Sequence, residues 1–238
     1  MNLDQEHYGY LKNSYEVVGK KILNKKDFNR IDLQSSNALF HYDNNTFTPI
    51  EVDVYAVLSG ISFNKSFIEF IETIQQKLLN TLKGSSFYLV ESYNLGVEYA
   101  ILKWPDDSLD TNIIDEAKNF LSGVRFNSFY LKIFGIQIHL DGCIVLKCYD
   151  ENRSIFRLRD QIVSNLKNIP VKQSSWAHIP LGRILSPVGH NKMIKLKRLI
   201  NEIDYELNYN LLIDSFHLVH EKQWYMKQKE YLLTKILD

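Results

Sequence analysis

One short run constrains the fold more than any other part of the chain: Trp176-Ala177-His178-Ile179-Pro180-Leu181-Gly182-Arg183-Ile184. Bulky and polar positions alternate along it, which is typical of a β-strand whose successive side chains point to opposite faces. His178 and Pro180 then share one face. Because proline cannot donate a hydrogen bond to a neighbouring strand, the strand is expected at a sheet edge or at a bulge beside a site. Either arrangement leaves His178 near solvent, facing a cleft.

Length, composition and charge define the class of protein. The chain has 238 residues, of which 45% are hydrophobic, enough for one large domain or two intimate lobes with a packed core. Lys plus Arg (28) equals Asp plus Glu (28), so no overall field recruits nucleic acid or an anionic membrane, although a local basic cleft remains possible. Without a signal pattern or a long apolar run, we expect a cytoplasmic protein that makes no membrane contact.

The two cysteines, Cys143 and Cys148, lie on one predicted strand, which would send them to opposite faces. Their spacing matches no zinc motif. We therefore expect two unpaired core residues.

The first 50 residues differ from the rest of the chain in their pattern of apolar and polar residues. Tyr8, Leu11, Tyr15 and Val18 recur at helical spacing, and a polar stretch follows Gly19. Residues 1–50 are therefore interpreted as an N-terminal extension, partly helical, and residues 51–238 as the main domain. The helix either binds a protein partner or covers the cleft, or it packs on its own domain.

From Val52 onward, strands and helices alternate in two loosely similar halves. The first half predicts a helix capped by Asn64, with an apolar stripe that ends before Gly84. The second predicts a helix with Asn152 available as its cap and with Arg153, Arg157 and Arg159 on exposed faces. Strands are expected at Val52–Gly60, Phe87–Val90, Val97–Leu102, Phe129–Ile138 and Cys143–Tyr149, and a further helix at about Thr111 to Leu121. Two strands around a polar connection are expected from Ser215 to Ile236, with helix as the competing interpretation.

These features resemble the two-histidine (2H) phosphoesterase superfamily, to which LigT belongs. The resemblance covers roughly Val52 to Leu237 and rests on the order of elements, on the His178–Arg183 string and on the closing hairpin. It implies an α+β, bilobal fold in which two pseudo-symmetric lobes of antiparallel sheet, with flanking helices, surround a central cleft. Each lobe of that family brings one His-x-Thr/Ser strand to the cleft.

The chain departs from that motif pattern. Aligned by order of elements, Glu98 stands where the family has its first histidine, Ala100 where it has threonine, and Pro180 where it has the second hydroxyl. Only His178 survives. In the family, one imidazole removes a proton, the other protonates the leaving oxygen, and the hydroxyls hold phosphate, without metal or cofactor. The resemblance thus implies His178 and Glu98 as catalytic residues and no metal ion, with the following residues binding phosphate or substrate: Arg183, Tyr99, Tyr93 and Lys103.

The expected function is a divergent phosphodiesterase that acts on a nucleotide or short RNA, at a 2′,3′-cyclic phosphate or in a small cyclic oligonucleotide. The alternative is a catalytically inactive nucleotide-binding or protein-interaction module on the same fold. His178 could also be a structural histidine that bonds neighbouring backbone, and Glu98 a solvated strand residue. His139, placed before a turn, is expected to bond that turn.

Overall fold

The computed structural model describes residues 3–44, 46–60, 63–108 and 111–238. Six α-helices are present in these ranges, together with a 3₁₀ turn at Ser92–Asn94. The helices are α1 Leu3–Asn24, α2 Gln34–Asn37, α3 Lys65–Thr81, α4 Thr111–Gly123, α5 Ser154–Asn165 and α6 His190–Glu206.

Eleven strands within the described ranges form three antiparallel sheets. The strands are β1 Phe40–Asp43, β2 Thr46–Pro49, β3 Glu51–Gly60, β4 Phe87–Leu89, β5 Gly96–Lys103, β6 Phe129–Ile138, β7 Cys143–Tyr149, β8 His178–Ile184, β9 Tyr209–Ile213, β10 Ser215–Gln223 and β11 Gln228–Ile236. A hairpin pairs β1 with β2, a four-stranded sheet has the order β11-β10-β3-β5, and a five-stranded sheet has the order β4-β8-β7-β6-β9. The α+β class and the closing strand pair are confirmed.

The two larger sheets define two lobes, but the lobes are not the two consecutive halves of the chain. The last two strands, β10 and β11, return to pair with β3 near the start of the main domain. Meanwhile α4 and α5 pack on the four-stranded sheet, whereas α1 and α6 pack on the five-stranded sheet. The chain therefore crosses between lobes several times, which ties the two lobes together covalently.

Local signals explain where two helices begin. Asn64 caps α3, since its Oδ1 accepts a hydrogen bond from the amide of Phe67 at 2.9 Å. The expected cap of α5 was wrong, because the carboxylate of Asp150, and not the side chain of Asn152, accepts from the amide of Ser154. Cys143 and Cys148 are buried and unpaired, as predicted.

The N-terminal residues share the main core. Helix α1 packs on β6 and β7 and buries Leu11, Tyr15 and Ile22. The hydroxyl of Tyr15 donates to the carbonyl of Ala177, just before β8. The helix thus packs on its own domain, outside the five-stranded sheet. Leu39, which directly precedes β1, lines a cleft that lies between the two larger sheets.

A buried guanidinium joins the two lobes where β5 and β8 approach each other. Arg159 on α5 is 5% exposed, so its expected place on an exposed helix face was wrong. Its Nε donates to the carbonyl of Tyr99 at 2.5 Å, and its Nη2 donates to the carbonyls of Glu98 and Trp176 at 3.1 and 3.3 Å. One side chain therefore holds the backbone of β5 against the segment that leads into β8.

Two glutamine amides pair further backbone groups near this junction. Gln75 donates to the carbonyls of Val90 and Leu181 at 2.7 and 3.1 Å. Gln173 accepts from the amide of Ile101 and donates to the carbonyl of the same residue, both at 2.9 Å. Buried backbone polar groups at the junction are thus paired by side chains instead of by a sheet ladder.

We predict that Arg159→Leu lowers the free energy of unfolding by about 3 kcal/mol, because it keeps apolar volume but leaves buried carbonyls without a donor. Urea denaturation followed by circular dichroism measures this change. Arg157→Leu, at an exposed position of the same helix, is the control and should change stability by less than about 0.5 kcal/mol. Equal effects of the two substitutions would contradict the assigned role of Arg159.

Candidate functional site

A cleft of about 510 Å³ lies between the two sheets. Its walls come from β3, β5, β8 and β10 and from the loops that precede β8 and follow β10. Of the six side chains predicted from sequence, it brings together three: His178, Glu98 and Arg183.

One strand of each lobe, β8 in the five-stranded sheet and β5 at the edge of the four-stranded sheet, presents side chains to the cleft in the same pattern. On β8 the lining residues are His178, Pro180 and Arg183, and the pairing with β7 skips Leu181. Pro180 lies beside the bulge at Leu181 and beyond the end of the β4 ladder, which pairs only with Gly182–Ile184, so both expected ways of accommodating a proline are found here.

On β5 the lining residues are Gly96, Glu98 and Ile101, and the pairing with β3 skips Tyr99. Each strand thus shows two lining positions two residues apart, then a bulge, then a third lining position. In this correspondence Gly96 matches His178, and Glu98 matches Pro180. The bulge moves Ala100 to the core side, where it is fully buried, so its expected place at the cleft was wrong.

His178 lines the cleft, and protein atoms bury most of its imidazole ring. Burial lowers its pKa to about 3, and the charges of His139, Arg159 and Arg183 act in the same direction. The ring of His139 packs with its centroid 5.8 Å from that of His178. Nδ1 of His178 is buried and has no hydrogen-bond partner among the described residues. The imidazole is therefore neutral at pH 7 and able to accept a proton.

Two carboxyl groups line the opposite wall. Burial raises the pKa of Glu98, although the charge of Arg159 opposes this shift. Glu221 on β10 is 5% exposed, and burial raises its pKa to about 7, with the charge of Glu98 adding to the shift. Its Oε1 accepts from the amide of Met226 at 2.8 Å. Both carboxyl groups therefore hold a proton more readily than a solvated glutamate does.

Arg183 is fixed by its neighbours. Its Nη1 donates to the hydroxyl of Ser36 at 2.7 Å and to the carboxylate of Asp141 at 2.6 Å. Its Nε is buried and lacks a partner among the described residues, although the side chain lines the cleft. Because Nη1 is fixed by Ser36 and Asp141 while the N–H of Nε has no acceptor, the guanidinium of Arg183 is suited to donate to an oxygen of a ligand.

The other three predicted residues do not face the cleft. Tyr99 lies on the core side of β5, fully buried, with its hydroxyl 2.6 Å from that of Ser59. Tyr93 is exposed and donates to Glu91 at 2.6 Å. The ammonium of Lys103 is buried and donates to three carbonyls and to Asp53. Their polar groups are already engaged.

Sequence reasoning missed several residues that line the cleft, namely Glu221, Trp104, Trp176, Trp224, Tyr225 and Met226. The only sequence signal for Glu221 is that a charged residue stands among apolar residues on one face of a predicted strand. Within the described ranges, no group of three or more His, Cys, Asp or Glu side chains is placed to bind a metal ion. No helix among the described residues is both long and apolar enough to span a membrane.

We predict a pH effect from Glu221. Because its pKa in the folded protein, about 7, lies above the ordinary value of 4.5, the folded state binds the extra proton, and the contribution of Glu221 to stability falls as pH rises between these values. Glu221→Gln retains a carbonyl acceptor and removes this loss.

The stability of Glu221→Gln relative to the original protein should therefore increase by up to about 3 kcal/mol from pH 4.5 to pH 8. Urea unfolding of both proteins across this pH range measures whether the stability of the variant relative to the original protein rises or falls with pH. His178 contributes the opposite slope below its ordinary pKa of 6.5 in both proteins, so the difference between them isolates Glu221. A pH-independent difference would contradict the assignment.

Comparison with solved structures identifies the fold, whereas comparison of sequences finds no match. No family model and no curated protein matches this sequence. A solved conserved protein of unknown function from Agrobacterium tumefaciens has a TM-score of 0.62 at 14% identity, covering 80% of this chain and 88% of that one. A solved protein from Thermus thermophilus has a TM-score of 0.55 at 14% identity, covering 77% of this chain and 97% of that one.

LigT from E. coli in its apo form has a TM-score of 0.52 at 16% identity, covering 79% of this chain and 99% of that chain. LigT complexed with 3′-AMP has a TM-score of 0.53 at 15% identity, with the same coverage. At such identities the similarity establishes the fold alone. The chain has the two-lobed α+β fold of LigT, as the resemblance to the 2H phosphoesterases implied.

Proposed function

We propose that this chain is a metal-independent phosphodiesterase that acts on a nucleotide or RNA phosphodiester, at a 2′,3′-cyclic phosphate or in a small cyclic oligonucleotide. One observation carries the proposal. His178 and Arg183 line the same cleft, and each has a buried polar nitrogen with no partner among the described residues. Buried polar atoms without partners that line a cleft indicate a ligand or water that completes their hydrogen bonds. A phosphate group provides acceptors for Arg183, and a water molecule beside it can donate to the neutral imidazole of His178.

The opposed pKa shifts support roles for two side chains. His178 is neutral and accepts a proton from the attacking water as the new P–O bond forms. Glu98, whose pKa is raised, gives its proton to the leaving ribose oxygen as the old P–O bond breaks. The cycle ends with an imidazolium and a carboxylate, and proton exchange with solvent restores both. Arg183 stabilises the charge that develops on the phosphorane oxygens.

The bulge pattern supports a specific place for Glu98. If β5 and β8 correspond as their bulges indicate, Gly96 takes the place of the first motif histidine, and Glu98 that of the first hydroxyl. A protonated carboxyl group, like a hydroxyl, donates a hydrogen bond to an oxygen of the phosphodiester, which in the proposed step is the leaving ribose oxygen. The raised pKa of Glu98 favours this neutral form.

The fold comparison supports the ligand class, since LigT has been solved in complex with 3′-AMP. This protein has the same fold and a cleft large enough for a nucleotide.

Hydrolysis of 2′,3′-cyclic nucleotides, short RNAs and cyclic dinucleotides, with chelator present, tests the proposal. We expect His178→Ala to lower kcat/KM by about a hundredfold or more and Glu98→Gln by a similar or smaller factor. His190→Ala, at an exposed histidine outside the cleft, is the matched control and should retain full activity. Full turnover by His178→Ala would rule out the proposed mechanism. Nucleotide binding without any product would replace it with the inactive binding module.

A further inference from the structure

All three tryptophans of the chain line the cleft. Trp104 follows β5, Trp176 precedes β8, and Trp224 follows β10, so three separate segments bring them together. The edge of the Trp176 ring packs on Tyr15, with ring centroids 4.5 Å apart. Trp104 and Trp224, in contrast, belong to the wall formed by the four-stranded sheet.

Apart from the carboxyl groups of Glu98 and Glu221, that wall is apolar, and its side-chain cluster is separate from the main core. Trp104, Trp224 and Met226 pack around a small cluster of buried side chains, Val54, Ala56, Leu58, Ile101 and Val219. Six residues of this group line the cleft: Ala56, Leu58, Ile101, Trp104, Trp224 and Met226. A space of about 510 Å³ separates them from the other sheet. Apolar side chains that line a cavity of this size are typical of a ligand-binding wall.

The turn that carries Trp224 is held in an uncommon conformation. Tyr225 and Met226 have φ of 63° and 55°, a left-handed conformation that tight hairpin turns usually assign to Asn-Gly. Glu221 and Lys229 hold the turn from within, since Glu221 accepts from the amide of Met226 and Lys229 donates to its carbonyl at 3.1 Å. Bulky residues held in this way are expected where a turn must present particular side chains to a ligand.

The facing wall is polar, with His178 and Arg183. A ligand that satisfies both walls has an anionic group at one end and a flat apolar group at the other. Building on the phosphodiesterase function, we propose that Trp224, together with Trp104 and Met226, forms a base-stacking wall. This wall selects phosphate ligands that carry an unstacked, single-stranded nucleobase over sugar phosphates or paired duplex. Stacking on tryptophan accepts every base, because each has a π face.

Binding of nucleoside 3′-monophosphates tests this inference, since they contain no phosphodiester to be cleaved. Tryptophan fluorescence and calorimetry should show 3′-AMP binding at least tenfold more tightly than inorganic phosphate or ribose 5-phosphate. Trp224→Leu, which remains apolar, should weaken 3′-AMP binding about tenfold, and Trp224→Phe, which retains an aromatic face, by no more than about threefold. Tyr205→Leu, at a residue 93% exposed on α6, is the control and should leave binding unchanged.

The outcomes separate this inference from the proposed function. If Trp224→Leu binds 3′-AMP as tightly as the original protein, or if phosphate binding falls by the same factor, the stacking wall is overturned. If the original protein binds phosphate and 3′-AMP equally, the wall is overturned and the phosphodiesterase proposal stands. If 3′-AMP binds through Trp224 but no phosphodiester is hydrolysed, the wall stands and the catalytic proposal fails. Binding of neither ligand overturns both.

Discussion

The buried guanidinium of Arg159 is the interaction on which the site depends. By donating to backbone carbonyls on β5 and on the segment before β8, it holds these two strands of different sheets close together. Glu98 and His178 are carried by those strands and belong to different sheets. The position of Glu98 relative to His178 therefore depends on Arg159, a side chain that does not line the cleft. A charged donor is effective there because it pairs several buried carbonyls at once.

The same junction creates the electrostatic character of the cleft. In the space between the sheets, burial disfavours the charged forms of His178, Glu98 and Glu221. The pKa of His178 is lowered, which favours the neutral imidazole, whereas the pKa values of Glu98 and Glu221 are raised, which favours their protonated forms. On this interpretation, a chain that lacks one motif histidine still has two groups suited to proton transfer.

Much of the fold could be predicted from sequence, because local patterns determine it. The Asn64 cap and apolar stripe located α3, strand alternation located β8 and β10, and the cysteine spacing indicated two unpaired thiols. Three of the residues predicted to form a site, His178, Glu98 and Arg183, line one cleft in the structure. Tyr99 does not line it, which could not be predicted because a bulge on β5 cannot be recognised from alternation alone.

By itself, then, the sequence determined the α+β class, most elements and the strand that carries His178, since these follow from side-chain periodicity and capping. Only the tertiary structure decided which strands became neighbours, and hence that Glu221 and all three tryptophans share the cleft with His178. Residues from β5, β8 and β10 meet because the chain crosses between lobes and returns to its first sheet. Such contacts join positions far apart in the chain, so no local pattern records them.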